Sequence, residues 1–218
     1  MVIVLNLDDF NFALGGYMEK LKILCLVGGI ASNSLNKKLY QLMLEFAPED
    51  FNLSTFDISR LPFFSQDLEN DPPDSVVGWK DRIREADAVL FITPEYNRSI
   101  PGVLKNAIDW GSRPYGQNLW DKKPAAVMGA SIGATGTFGA QHHLRQTLAY
   151  LNMAIMGQPE FYLDASRFLD KEGRPVDGKT TELIHQYWES FSNWIERVSQ
   201  QAPRTMKPKS LEDSPTAH

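Results

Sequence analysis

Residues 88–114 read AVLFITPEYNRSIPGVLKNAIDWGSRP. The opening six, Ala88–Thr93, carry no charge and form the clearest buried strand in the chain. An unbroken apolar run of that length suits a strand covered on both faces, because a strand with one wet face would alternate. Pro94 ends it. Pro101–Trp110 is predicted to be a helix with its proline in the first turn, where a missing N–H costs nothing. Strand, polar loop and helix make one unit, and the same unit recurs on either side.

Upstream, LKILCLV at Leu21–Val27 is another apolar run, and it ends in Gly28-Gly29. Leu35, Leu39, Leu42 and Phe46 then repeat at helical spacing over Ser34–Phe46, until Pro48 stops them. Phe51–Asp57 alternates like a strand, a proline-marked loop covers Pro62–Pro73, and Val76, Trp79 and Ile83 mark one side of a helix over Ser75–Ala86. Downstream, Pro124–Ala130 is a strand, Phe138–Leu151 a helix, Ile155–Leu163 a broken strand and Thr181–Val198 a closing amphipathic helix. Such alternation predicts an α/β domain over residues 21–201, a doubly wound five-stranded parallel sheet with helices on both faces. Residues 1–20, broken by Gly15-Gly16, are expected to be a loose N-terminal arm, with Met18 an alternative start. Residues 202–218, rich in Pro, Lys, Ser and Thr, are expected to be a disordered tail.

Composition narrows the function. The chain has 218 residues, with 22 Lys and Arg against 27 Asp and Glu, a net charge of −5. Phosphate backbones are bound by positive faces, so a nucleic-acid partner is not expected. Cys25 is the single cysteine, which excludes an intramolecular disulfide and a multi-cysteine zinc site. The four histidines form no HExxH pair, so no metal is expected. The longest charge-free run, Pro124–Leu144, is too rich in Gly, Ser, Thr and His to span a bilayer. The N-terminus shows no positive n-region and no small-residue cleavage site. A cytoplasmic protein with no membrane partner is the expectation.

In doubly wound folds ligands lie at the carboxyl ends of the strands, at the point where strand order reverses. Three loops therefore matter. Gly28-Gly29-Ile30-Ala31-Ser32-Asn33-Ser34-Leu35-Asn36 leaves a strand and opens a helix. Its glycines admit close approach, and a helix start offers free N–H groups to an anion. It reads equally as a phosphate cradle or as a turn with ordinary Ser and Asn caps. It matches neither GxxxxGK[ST] nor GxGxxG, which disfavours an ATPase and a dinucleotide site. Pro94-Glu95-Tyr96-Asn97 suits a flat ring beside Tyr96, or is simply a polar turn. Ser131–Thr137 is small enough for close approach of a ligand or a second chain, or is a plain connection. No nucleophile–base set is evident, so no catalytic side chain is expected. Glu95 and Asp109 can be read as an acid–base pair, against Asp109 as a helix or dimer support. Tyr96 and Trp110 are placed near the site or a subunit interface, His142 and His143 at the surface, and Cys25 in the core.

The stretch Thr93–Pro114, TPEYNRSIPGVLKNAIDWGSRP, resembles the signature of the NAD(P)H-dependent FMN reductase family, the flavodoxin-like quinone, chromate and azo-dye reductases. MGASIGATGTFGAQHHLRQTLAYLNMAIMGQPE at 128–160 and the Gly…Ser-x-Asn arrangement at the front resemble it too, so the likeness runs from Leu21 to Glu160. It implies FMN as cofactor and NADPH or NADH as co-substrate. It places Gly29, Ile30, Ala31, Ser32, Asn33, Ser34, Leu35 and Asn36 around the FMN phosphate, with Ser34 and Asn36 at matching side-chain positions. Pro94, Glu95, Tyr96 and Asn97 then run along the isoalloxazine, and Ser131 and Gly133 approach the ring. It further implies ping-pong hydride transfer through FMN to small-molecule acceptors such as quinones, FMN, azo dyes or chromate. A homodimer or homotetramer, with the helix after PEYN at the interface, is implied as well. A flavodoxin-type electron carrier, expected to be more acidic, and a flavin-free binding or regulatory module are the alternative readings.

One departure stands out. Where the family has Gly-Ser-x-Arg, this chain has Gly28-Gly29-Ile30-Ala31. The phosphate is then expected to rely on backbone N–H groups, the helix dipole, Ser32, Ser34 and Asn36. FMN is expected to be held less tightly than with arginine, and Lys37 and Lys38, past the first helical residues, are expected to be solvated.

Overall fold

The computed structural model describes residues 19–200. The arm expected over residues 1–20 and the tail over 202–218 lie, but for Glu19 and Lys20, outside the described residues.

The strands are β1 (Leu21–Val27), β2 (Phe51–Thr55), β3 (Ala88–Ile92), β4 (Pro124–Ser131), β5 (Ala154–Ile155) and β6 (Phe161–Asp164). Between and after them run α1 (Leu35–Glu45), α2 (Asp74–Glu85), α3 (Gly102–Gly111), α4 (Phe138–Tyr150), the short α5 (Ala165–Phe168) and α6 (Gly178–Ser199). The sheet order is β2-β1-β3-β4-β5, with β6 also paired to β4, and each strand pair is parallel. The expected broken fifth strand is thus two strands lying end to end along β4. Ala154 and Ile155 pair with Pro124 and Ala125, and Phe161–Asp164 pair with Met128–Ser131. Gly157-Gln158-Pro159 separates them, and Pro159 has no N–H to give to a ladder. The predicted five-stranded count becomes six for that reason.

Strand alternation sends residues to two apolar layers. Ile23, Cys25, Leu90, Ile92 and Met128 face α1 and α6, meeting Leu39, Met43, Tyr187, Trp188 and Phe191. Leu24, Leu26, Val89, Phe91 and Val127 face α2, α3 and α4, meeting Val76, Trp79, Leu104, Ile108 and Leu144. Cys25 is fully buried, and that burial pushes its thiol pKa far up, so it packs as a small apolar residue. Trp110 is 1% exposed. Its indole N–H donates to the Pro62 carbonyl at 2.8 Å, which places it in the core and corrects its expected position at the site or interface. Asn106 holds the same proline-marked loop, accepting from Phe64 N–H at 2.8 Å and donating to Pro62 O at 2.9 Å.

Helix starts follow capping chemistry. Ser34 is the N-cap of α1, its hydroxyl accepting from Asn36 N–H at 3.2 Å. Asp177 caps α6, accepting from Thr180 N–H at 3.0 Å, so this helix begins three residues before the predicted Thr181. Pro101 stands at the N-cap of α3, one position before its predicted place in the first turn.

The chain leaves β1 toward β2 and returns to place β3 on the other flank of β1. Order therefore reverses between β1 and β3, and the loops after β1, β3 and β4 open on the same edge of the sheet.

Candidate functional site

Hydrogen bonds draw these three loops together. Gly28 N–H donates to Ile92 O at 2.8 Å, and Thr93 N–H donates to Met128 O at 3.0 Å. Asn36, 2% exposed, donates to Ala130 O and accepts from Ala130 N–H, each at 3.0 Å. The start of α1 is thereby clamped to the end of β4. This corrects the expected role of Asn36. Its amide is spent inside the fold and is not a free donor to a phosphate.

The first loop keeps its other donors. Among the described residues, no acceptor is paired with the N–H groups of Gly29, Ile30, Ala31, Ser32, Asn33 or Leu35. Gly29 is buried and Leu35 half-buried while Ile30–Asn33 face solvent, and a run of uncommitted N–H groups at a helix start can receive an anion. Gly29 is needed because the loop folds tightly over Ser34. A Cβ added at Gly29 would lie 2.1 Å from Ser34 Oγ. A side chain at that position requires the Ser34 hydroxyl to turn aside. The side chains of the two lysines diverge: Lys37 Nζ donates to Ile30 O at 2.8 Å, whereas Lys38 Nζ donates to Lys171 O at 2.6 Å. Lys37 is therefore folded back on the loop while staying exposed to solvent.

The second loop is a two-residue hairpin. Tyr96 and Ser99 exchange backbone hydrogen bonds of 2.9 and 3.0 Å, while Asn97 and Arg98 both have positive φ, 52° and 64°. Two successive left-handed residues make the tight turn, and Asn tolerates that conformation well. Glu95 is committed within the fold. One oxygen accepts from Ala140 N–H at 3.0 Å and the other from Arg98 Nη1 at 3.1 Å. Its carboxylate thus caps the start of α4, and Asp109 pairs with Lys105 at 2.8 Å, so the acid–base pair weighed for Glu95 and Asp109 does not form. Of the expected ring contacts, Tyr96 is 52% exposed, and the N–H groups of Glu95 and Asn97 have no acceptor among the described residues.

In the third loop Ser131 and Gly133 bond to each other. Ser131 Oγ donates to Gly133 O and accepts from Gly133 N–H, both at 3.1 Å. Those polar atoms are committed, and among the described residues the N–H groups of Ile132, Ala134, Thr135 and Thr137 have no acceptor. Gly136 has φ +56, and a Cβ there would lie 2.6 Å from the Tyr162 carbonyl carbon. Only glycine lets this loop fold down against β6.

Residues 21–167 match the NADPH-dependent FMN reductase family. The chain belongs to that family. A 2-hydroxy-1,4-benzoquinone reductase of Burkholderia sp is 45% identical over 177 residues, covering 80% of this chain and 96% of the relative. An NAD(P)H-dependent FMN reductase of Pseudomonas aeruginosa is 41% identical over 183 residues, covering 83% and 98%. Among solved structures, the flavoenzyme NAD(P)H:(acceptor) oxidoreductase FerB of Paracoccus denitrificans superposes with a TM-score of 0.77 at 41% identity, covering 81% and 98%. The doubly wound flavodoxin-like fold is thus the fold of this FMN reductase chain.

The residues present fit the family's cofactor. A phosphate finds the uncommitted N–H groups of the first loop, the Ser34 cap and the positive end of α1. A ring system finds Tyr96 and the free N–H groups of the second and third loops. Beside the first loop opens a cleft of about 350 Å³ on the β2 side, lined in part by Ile30, Lys37, Tyr40, Phe56 and Asp57. Two features were missed in the sequence. His143 Nδ1 shares a hydrogen bond of 2.7 Å with Ser99 Oγ and so braces the second loop. His142 stands 3.1 Å from the Tyr162 hydroxyl, whose pKa is pushed up to about 12 by burial and by Glu160. Both depend on helix α4 docking beside loops far away in sequence. Among the described residues no group of three His, Cys, Asp or Glu side chains could hold a metal ion. Nor is any described helix long and apolar enough to cross a membrane.

Proposed function

We propose that this protein is an NAD(P)H-dependent FMN oxidoreductase that reduces quinones and related small electron acceptors. The observation that carries it is the junction of three loops at the reversal of strand order. There a run of free N–H groups meets an exposed tyrosine and a small-residue loop. When bound, FMN supplies the redox chemistry, taking hydride from the nicotinamide at its N5 and giving two electrons to the acceptor. The protein's part is to hold and orient. Gly29–Leu35 offer backbone donors to the phosphate, Ser34 adds a hydroxyl, and Asn36 fixes the cradle to β4. Pro94, Tyr96 and Asn97 flank the ring with backbone and aromatic edge, while Glu95 positions them through Ala140 and Arg98. Ser131 and Gly133 shape the third wall.

The relatives' reported acceptors, a benzoquinone among them, support a flat acceptor class here. An open ring face presents shape and few directional contacts, so nicotinamide and acceptor use one space in turn. That arrangement supports a ping-pong order. Two copies are proposed to pair through α3 and α4. There the Lys105–Asp109 pair, His143 and Tyr150, 88% exposed, border a cleft of about 390 Å³. A reductase fed by NAD(P)H works where that cofactor is made, so the cytoplasm is its proposed location.

Initial-rate measurements with NADH or NADPH against a benzoquinone test the reading. Parallel double-reciprocal lines at varied acceptor are expected. Intersecting lines would reject the ping-pong order, and absence of turnover in FMN-loaded protein would reject the activity.

A further inference from the structure

We propose that Lys37 supplies the positive charge of the FMN phosphate site, in place of the arginine that position 31 lacks. The proposal rests on reading Gly29–Asn36 as the phosphate cradle.

Residues 28–36 contain no Lys, Arg or His, so the loop brings no cation of its own. Helical side chains lean toward the N-terminus of their helix, and Lys37, in the first turn of α1, follows that rule. Its ammonium reaches back to the Ile30 carbonyl at 2.8 Å, inside the loop. An ammonium has three N–H bonds. One is used on Ile30, and the others remain for an anion.

The helix itself points the same way. The first turn of α1 has no acidic residue, and its charges are Lys37 and Lys38. Positive charge at a helix start opposes the dipole, and a bound anion removes that conflict. Lys38 leaves the site for Lys171 O, and Asn36 is spent on Ala130, so Lys37 is the side chain of that turn left at the loop with charge to give. Asp57 also lines the adjoining cleft, its carboxyl held low first by the Ser59 hydroxyl, then by the Ser59 backbone N–H and Arg60, and least by Lys37. Among the described residues Lys37 makes no direct ion pair with a carboxylate, and one Asp57 oxygen takes both the N–H and the hydroxyl of Ser59.

The test is flavin fluorescence quenching with the full-length apoprotein, titrated with FMN and, separately, with riboflavin, which lacks the phosphate. Wild type is expected to bind FMN more tightly than riboflavin. Lys37→Ala should weaken FMN by about ten- to a hundredfold, the span of a charge-assisted hydrogen bond, and leave riboflavin unchanged. Lys37→Gln keeps a donor for Ile30 O without the charge, and should weaken FMN as well. Lys38→Ala should bind as wild type. Ala31→Arg placed in Lys37→Ala should restore FMN binding. FMN binding unchanged in both Lys37 variants, with wild type still preferring FMN to riboflavin, would overturn the role of Lys37 and leave the cradle standing. Equal binding of FMN and riboflavin to wild type would overturn the cradle and the proposal with it.

Discussion

Asn36 is the residue whose side chain decides most about the site. It closes a two-way amide bridge to Ala130 between elements 94 residues apart in sequence. Removing it leaves a buried N–H and a buried carbonyl unpaired, which costs about 1–3 kcal/mol. Asn36→Ala is therefore expected to lower the thermal midpoint by several degrees and to loosen FMN, both readable in one melting series with and without the flavin. The sequence placed Asn36 at the site but not its bond, because nothing local announces a partner on another strand. Glu95 and Trp110 differ from expectation for the same reason. A carboxylate in a loop reads as a site group until α4 brings Ala140 N–H to it, and a tryptophan reads as accessible until Pro62 takes its N–H.

At the scale of elements, the strands and helices were legible because apolar runs and 3.6-residue spacing are local signals. What was not legible lies where a backbone turns on itself. The Tyr96–Ser99 hairpin needs two left-handed residues, and the sequence offers Asn-Arg in place of the usual Asn-Gly. In the sequence Gly136 reads only as part of a small-residue loop. Its φ of +56 and its contact with the Tyr162 backbone make Gly136→Ala unfavourable by about 1–3 kcal/mol from backbone conformation alone. Urea unfolding of that variant should show a lower midpoint at unchanged slope. The cap of α6 gives a pH test. The Thr180 backbone N–H, then its hydroxyl, holds the Asp177 carboxyl below its usual pKa. A carboxylate lowered in the folded state stabilises above its unfolded value of about 3.9, and that contribution is lost as pH falls through the lower folded value. The melting temperature should thus fall on acidification below about pH 4, and Asp177→Asn should remove part of that fall.

For the whole molecule, the alternating pattern predicted the doubly wound sheet, and the doubly wound sheet points to the three loops where a ligand is proposed to sit. The step from site to chemistry needed the extended likeness from Leu21 to Glu160, since no sequence motif for a nucleophile–base or metal set announces the reaction. A polypeptide of residues 18–202 contains every described element, and it is expected to keep its fold and bind FMN as the full chain does. Loss of soluble protein on that truncation would mean that an end packs on the domain. The activity itself is tested most directly by half-reactions in the absence of oxygen. NADH or NADPH added to the FMN-loaded protein should bleach the flavin absorbance without any acceptor present, and a benzoquinone added afterwards should restore it at the rate of turnover. A bound flavin that neither nicotinamide bleaches, or that a quinone leaves bleached, would contradict the account.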